Sequence, residues 1–491
     1  MNLRYFFYFL ALLLYVSTAL NSYGFDDEIT NISFVEAYGF STYLTTQTID
    51  VHPPLSYLVN ALLYKVFSSW EVVRVISALL ICAALFYVGE SFVKKYGHQA
   101  ATLTFLLLAS NPAILLLGTS LRWYAYFLPV LLWLSITPKK NGTAYWAKLT
   151  VGLTALGYIN YIAFLVAPAI ILIYWLECNQ LFKTKLKYLF ASLIFALTAY
   201  LPQLLVFLNV HLPNSGGQFG SFFDSIASIF ITQFSNQGVF PISIAGLVGA
   251  AGMILVMTIA LISQPLASLR QQSKFISYVV FITLAVVTGI SAKFRNLVIA
   301  SPLQALWLGS VIPNTRAKKA WILGLSLVFA SNFWGVFNVY FHQNTTKNSW
   351  NLPINEVLTY LASDSSDCDG SAVFFTHDPT ISYYLERSYG NSFGPYLRNL
   401  ASLQDRYRCG FIITTYQGSI PNDVYSDMMN SIESLGYSSS TSHYLQEDPF
   451  YAFKKRLDPR YPRYGVTITK MQDLENVITM DSWLQNYRVA K

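Results

Sequence analysis

Apolar residues run in long blocks through the first two thirds of the chain and in short patches after that. A helix that crosses a membrane needs about 20 mostly apolar residues. Eleven stretches read as such spans: 4–21, 71–90, 99–118, 123–137, 146–160, 161–178, 188–209, 239–262, 275–292, 296–313 and 320–340. Between the first two spans, Ile29 to Tyr38 and Pro54 to Phe67 show helical apolar spacing, so short helices are expected along the membrane face. Beyond residue 341 the pattern changes. Ala372 to Thr376 and Gly410 to Thr414 read as buried strands, and Pro353 to Leu361 and Pro379 to Arg387 as helices with Pro near their starts. That alternation suggests a small α/β layer.

Composition sharpens the division. Of 491 residues 54% are apolar and 12% charged, against roughly 25% charged in soluble domains. Aromatic residues at 16% exclude a disordered chain. The net charge of +7 would suit a nucleic-acid partner, but the basic excess lies wholly in residues 1–341, and no nucleic-acid partner is expected. Lys and Arg mark the cytoplasmic side of a membrane. With the N-terminus inside, the inner segments hold Arg4, Lys94, Lys95, Lys139, Lys140, Lys148, Lys183, Lys185, Lys187, Arg270, Lys274, Arg316, Lys318 and Lys319. The outer side holds Lys65, Arg74, Arg122, Lys293 and Arg295. The chain thus reads as an α-helical polytopic membrane protein of about eleven spans. Residues 1–341 form its transmembrane domain and 342–491 a soluble extracytoplasmic α/β domain. The start, Met1 to Arg4 before an apolar run, reads as an uncleaved first span. Cys368 and Cys409 share the outer domain, where a disulfide and two free thiols are equally compatible with the sequence.

The scarce acids carry the candidate chemistry. Residues 1–341 contain nine, and five of them, Asp26, Asp27, Glu28, Glu36 and Asp50, fall in the outer loop at about 22–70. An outer loop tolerates acids, so clustering alone has a bland explanation. The sharper one is a catalytic carboxylate at the membrane edge, because Asp26-Asp27-Glu28 directly follows the first span. In His52-Pro53-Pro54-Leu55 the prolines fix the backbone ahead of a helix. Outer cations near span ends, Arg74, Arg122 and Arg295, are candidates for holding a lipid phosphate, since Arg binds phosphate in a bidentate manner.

These residues together resemble a known family. Asp27-Glu28, then His52-Pro53-Pro54-Leu55, then Trp70 to Arg74 with Ser77, then Ser120-Leu121-Arg122-Trp123-Tyr124 look like the GT-C glycosyltransferases of the family 39-like branch. That branch includes protein O-mannosyltransferases and the lipid A aminoarabinose transferase. The resemblance implies a GT-C fold and a polyprenyl-phosphate-linked sugar donor. It implies transfer to a lipid, glycan or protein acceptor on the outer face of a cell inner membrane, with the C-terminal domain periplasmic. Asp27 matches the family's catalytic Asp and Glu28 its neighbour. Arg122 and Tyr124 match an Arg-x-Tyr element, and Arg295 a late Arg, although Asn296 stands where the family has Tyr. No cofactor is required on this reading, though three clustered carboxylates would also suit a divalent cation. Two other classes stand beside it: a membrane transporter or channel, and a surface-polysaccharide polymerase or ligase.

Overall fold

The computed structural model describes residues 3–22, 28, 32, 35, 55–137, 142–206, 229, 244–263, 272–288, 297–311, 317–341, 354–364, 372–376, 381, 383–385, 388, 392–393, 409–415, 437–445 and 466–473. The chain divides into two compact units. One is Met1–Ser22 with Val35–Tyr340, and the other is Tyr23–Phe34 with Phe341–Lys491. The segment that follows the first helix therefore groups with the C-terminal unit, which the sequence boundary at 341 does not anticipate.

The first unit is a helical bundle. Its helices are α1 (Leu3–Asn21), α2 (Leu55–Phe67), α3 (Trp70–Tyr96), α4 (His98–Ala109), α5 (Pro112–Gly118), α6 (Tyr124–Ser135), α7 (Thr143–Ile159), α8 (Ala163–Glu177), α9 (Phe182–Val206), α10 (Ile244–Ser263), α11 (Ser273–Val287), α12 (Ala300–Ser310) and α13 (Lys318–Tyr340). Each of the eleven apolar stretches overlaps one of these helices or, at 99–118, a pair. Among the described residues five helices are long and apolar enough to cross a membrane, α1, α3, α9, α10 and α13. The pair α4–α5 makes a sixth if it counts as one bent span. Helix α6, with 12 residues, is only about 18 Å long, short of a hydrocarbon core of about 30 Å. Helix length alone therefore carries a smaller span count than eleven.

Breaks and ends have local causes. The stretch 99–118 bends by 64° between α4 and α5. There Asn111 accepts hydrogen bonds from the N–H groups of Ala113 (3.0 Å) and Ile114 (3.2 Å), and Pro112 occupies the first helical position. That is an N-cap written in three residues. Ahead of α8 the Asn160 side chain accepts from Ile162 N–H at 2.9 Å, a side-chain turn that leads the chain into the helix. Helix α2 turns into α3 through Ser68, at φ 52°, and Ser69 caps α3 by accepting from Val72 N–H.

The bundle is sorted from inside to outside. All of α5 and residues Ala300–Gly309 of α12 are buried. The outer helices turn large apolar side chains outward, such as Leu13 on α1, Phe195 on α9 and Phe333 on α13. In water such a surface would be a liability, whereas against lipid it is solvated. Helices α10 and α13 pack closely because Gly252 faces Gly324. A Cβ on Gly252 would lie 2.7 Å from the Gly324 carbonyl oxygen.

The second unit contains a five-stranded mixed sheet and helix α14 (Ile354–Asp364). The strands are β1 (Ala372–Thr376), β2 (Ser392–Phe393), β3 (Cys409–Thr415), β4 (Tyr437–Leu445) and β5 (Val466–Asp473), in the order β2-β1-β3-β5-β4. Strand β1 is parallel to β2 and β3, and β5 is antiparallel to β3 and β4. The core follows both periodicities. Ile354, Val357 and Leu361 line one face of α14, and Phe411, Ile413, Val466 and Ile468 point to the same side of the sheet. Lys470 continues that face and reaches the end of α14, donating to the Asp364 carbonyl at 3.1 Å. A cation there complements the helix C-terminus.

Candidate active site

Antiparallel packing of α1 on α3 sets the two ends of the bundle. At one end Arg4, near the start of α1, pairs with Glu90 late in α3 at 3.0 Å. At the other, Arg74 early in α3 donates from Nη1 to the carbonyl of Ser22 at 2.9 Å, just past the end of α1. The Arg74 side chain is buried. It holds the α1 end by charge and hydrogen bond together, where the helix dipole leaves negative potential. Asn21 beside it donates to the Tyr340 carbonyl at the end of α13 (2.9 Å). The two points where the chain leaves the first unit, after Ser22 and after Tyr340, therefore lie side by side at this end.

Arg122 stands at the same end, in the non-helical turn between α5 and α6. It is buried, and its Nη1 donates to the Tyr57 hydroxyl of α2 at 3.5 Å. The next turn of α2 brings in Asn60, also buried. Its Nδ2 donates to the Leu121 carbonyl at 2.6 Å, and its Oδ1 accepts from the Tyr126 hydroxyl at 2.6 Å. Ser77 of α3, one turn beyond Arg74, is buried and donates to the Val73 carbonyl at 3.2 Å. Tyr124 is buried at the start of α6, its ring 3.7 Å from that of Trp123 between centroids. The sequence-predicted Arg74, Arg122 and Tyr124 are thus brought to one end by α2, α3 and α6.

Glu28, Ile32 and Val35 are each helical and buried. This fits the helical spacing expected from Ile29 onward. Glu28 belongs to the second unit. Asp26, Asp27, His52 and Arg295 lie outside the described residues. So do Lys293 and Cys368. Among the described residues no group of three His, Cys, Asp or Glu could hold a metal ion, with Asp26 and Asp27 outside that set.

Sequence reasoning passed over Tyr57, Asn60 and Tyr126. The available signal was an amide at position 60 on the buried face of an otherwise apolar helix, in the spacing Ser56, Tyr57, Asn60, Ala61.

The other end of the bundle holds a second polar cluster. Glu177, at the end of α8, pairs with Lys274 of α11 (3.0 Å) and Lys95 of α3 (2.8 Å). It also accepts from Ser273 at 2.9 Å and from Thr137, after α6. Lys274 donates in addition to the Ser135 carbonyl at 2.8 Å. By helix rise, the 21 residues from Arg74 to Lys95 place the two clusters about 32 Å apart along α3.

No protein-family model matches the chain, and no curated protein sequence does. Among solved structures, ArnT from Cupriavidus metallidurans in the apo state superposes with a TM-score of 0.52 at 11% identity, covering 94% of this chain and 97% of that one. ArnT from the same organism bound to undecaprenyl phosphate gives 0.49 at 12% identity, covering 94% and 96%. Over nearly its whole length the chain has the fold of apo ArnT.

Proposed function

We propose that the protein is a membrane glycosyltransferase that moves a sugar from a polyprenyl-phosphate-linked donor to a lipid, glycan or protein acceptor on the outer face of a bacterial inner membrane. The observation that carries this reading is the convergence of buried Arg74 and Arg122 at the bundle end where α1 leads into Asp26-Asp27-Glu28. Two supports stand beside it. The motifs resemble the GT-C family 39-like branch, and the fold is that of ArnT, a lipid A aminoarabinose transferase.

In this mechanism Asp27 takes the proton of an acceptor hydroxyl. The acceptor oxygen attacks the sugar C1 as the C1–O bond to phosphate breaks, and the bonding electrons leave with the polyprenyl phosphate. Arg122, with Arg295 and His52, holds the phosphate as its charge develops. Tyr124 packs beside Arg122, and Arg74 sets the end of α1 from which the carboxylates follow. One displacement inverts the anomeric centre. Glu28 positions Asp27 or shares a divalent cation with it, and the C-terminal unit selects the acceptor. The bundle crosses the membrane eleven times, with the Glu177 end cytoplasmic and both chain exits outside.

A transporter is the less favoured reading. Transporters gather binding groups near the bilayer midplane. Here the charged clusters sit at the two ends of α3, and buried Glu177 ties the ends of four helices together.

The test is the purified protein in nanodiscs, supplied with lipid-linked sugars extracted from the source envelope together with envelope acceptors. Release of polyprenyl phosphate is the readout. Asp27→Asn should lower turnover by ~10²–10⁴-fold, the usual worth of a general base. Near-wild-type turnover in that variant would remove Asp27 from the mechanism.

A further inference from the structure

We infer that Asn60 is a positioning residue: its amide fixes the α5–α6 turn so that Arg122 faces the lipid phosphate of the donor. The inference rests on the glycosyltransferase reading above.

Asn60 sits one turn after Tyr57 on the buried face of α2, among Ser56, Tyr57 and Ala61. An apolar residue would fill that place at less cost, because burying an amide without partners costs about 1–3 kcal/mol. Both ends of this amide are used. Its N–H group donates to Leu121, the residue immediately before Arg122, and its carbonyl accepts from Tyr126, four residues after Arg122. The two bonds bracket Arg122 on either side of a non-helical turn, where Ser120 N–H reaches the Leu117 carbonyl at 3.4 Å and the Arg122 carbonyl accepts from Ala125 N–H at 3.1 Å. The Leu121 carbonyl determines which way the amide faces, since reversing it would set the amide oxygen against a second acceptor, and Tyr126 then donates to the oxygen that remains. Tyr57 then meets the guanidinium itself. Helix α2 therefore grips both the backbone and the side chain at this point. It is also the helix that follows His52-Pro53-Pro54, so one short element joins that motif to the Arg122 turn.

The consequence is that Asn60 acts on the donor only through Arg122. A residue that merely stabilises the bundle would cost the same whether or not Arg122 is present. A double-mutant cycle separates the two cases. Full-length protein in nanodiscs is titrated with undecaprenyl phosphate as wild type, Asn60→Leu, Arg122→Ala and the double variant, with thermal unfolding as a folding control. Asn60→Leu should weaken binding ~5–10-fold when Arg122 is present, the size of one buried hydrogen bond. It should weaken binding less than about twofold in the Arg122→Ala background. Equal losses in both backgrounds, or no loss in either, overturn the inference. Tyr126→Phe, which removes one of the two bonds and keeps the ring, serves if Asn60→Leu fails to fold, and the same coupling is expected of it. If wild type does not bind undecaprenyl phosphate, the donor reading fails. Hydrogen exchange across Ser120–Tyr124 then decides the remaining claim. Faster exchange in Asn60→Leu supports the hold on the turn, and unchanged exchange refutes it.

Discussion

Glu177 is one of few acids in the bundle, and it accepts from two lysines and two hydroxyls. Lys274 is 2% exposed, so removing its carboxylate leaves a buried cation with the Ser135 carbonyl but no opposite charge. Glu177→Leu should therefore destabilise the protein by about 3–5 kcal/mol, read as a lowered unfolding midpoint in detergent. Lys95→Met removes a partner that is 44% exposed and should cost no more than about 1 kcal/mol. A larger loss for Lys95 than for Glu177 would contradict the arrangement. Single residues were unevenly legible. Arg74 and Arg122 stood out because cations are scarce among the outer segments. Glu177 did not, because its lysines lie 82 and 97 residues away and no local pattern joins them. Asn60 carried only the weak sign of one amide in an apolar helix.

At the scale of elements, close helix contact and core filling make separate predictions. Gly252→Val puts side-chain atoms where α10 meets the backbone of α13 and should cost about 1–3 kcal/mol through overpacking. Gly142→Val, with open space at its Cβ, is the control for the same readout. In the second unit Leu361 is fully buried against the sheet. Leu361→Ala should cost about 2–5 kcal/mol and show first as proteolytic cleavage within 341–491. Early cleavage within the bundle instead would contradict a separate core. Helices were readable because apolar runs and caps coincide, as at Ser110-Asn111-Pro112. The sequence still suggested one span there, because the bend is made by three polar and cyclic residues inside a continuous apolar stretch. Strands β1 and β3 were readable as apolar runs. Strand β4, Tyr437–Leu445, is serine-rich and takes its pairing from β5, so nothing local announces it.

For the whole molecule, charge gathered at the two ends of α3 suits the proposed enzyme working at one face better than a device that opens at both. One end carries Arg74, Arg122 and the two points, after Ser22 and after Tyr340, where the chain leaves the bundle. The other is tied by Glu177. Hydrophobic length and the Lys and Arg bias made the membrane bundle legible from sequence. The grouping of 23–34 with the C-terminal unit was not, because it depends on contacts between segments more than 300 residues apart. The most direct test is mass spectrometry of lipid-linked sugars and envelope glycans from cells carrying the gene, lacking it, or expressing Asp27→Asn at matched levels. The account predicts that loss of the gene accumulates one polyprenyl-phosphate sugar and removes one glycan or lipid modification, and that Asp27→Asn reproduces both changes. Full restoration of the modification by Asp27→Asn, or an unchanged lipid-linked sugar pool on deletion, would contradict it.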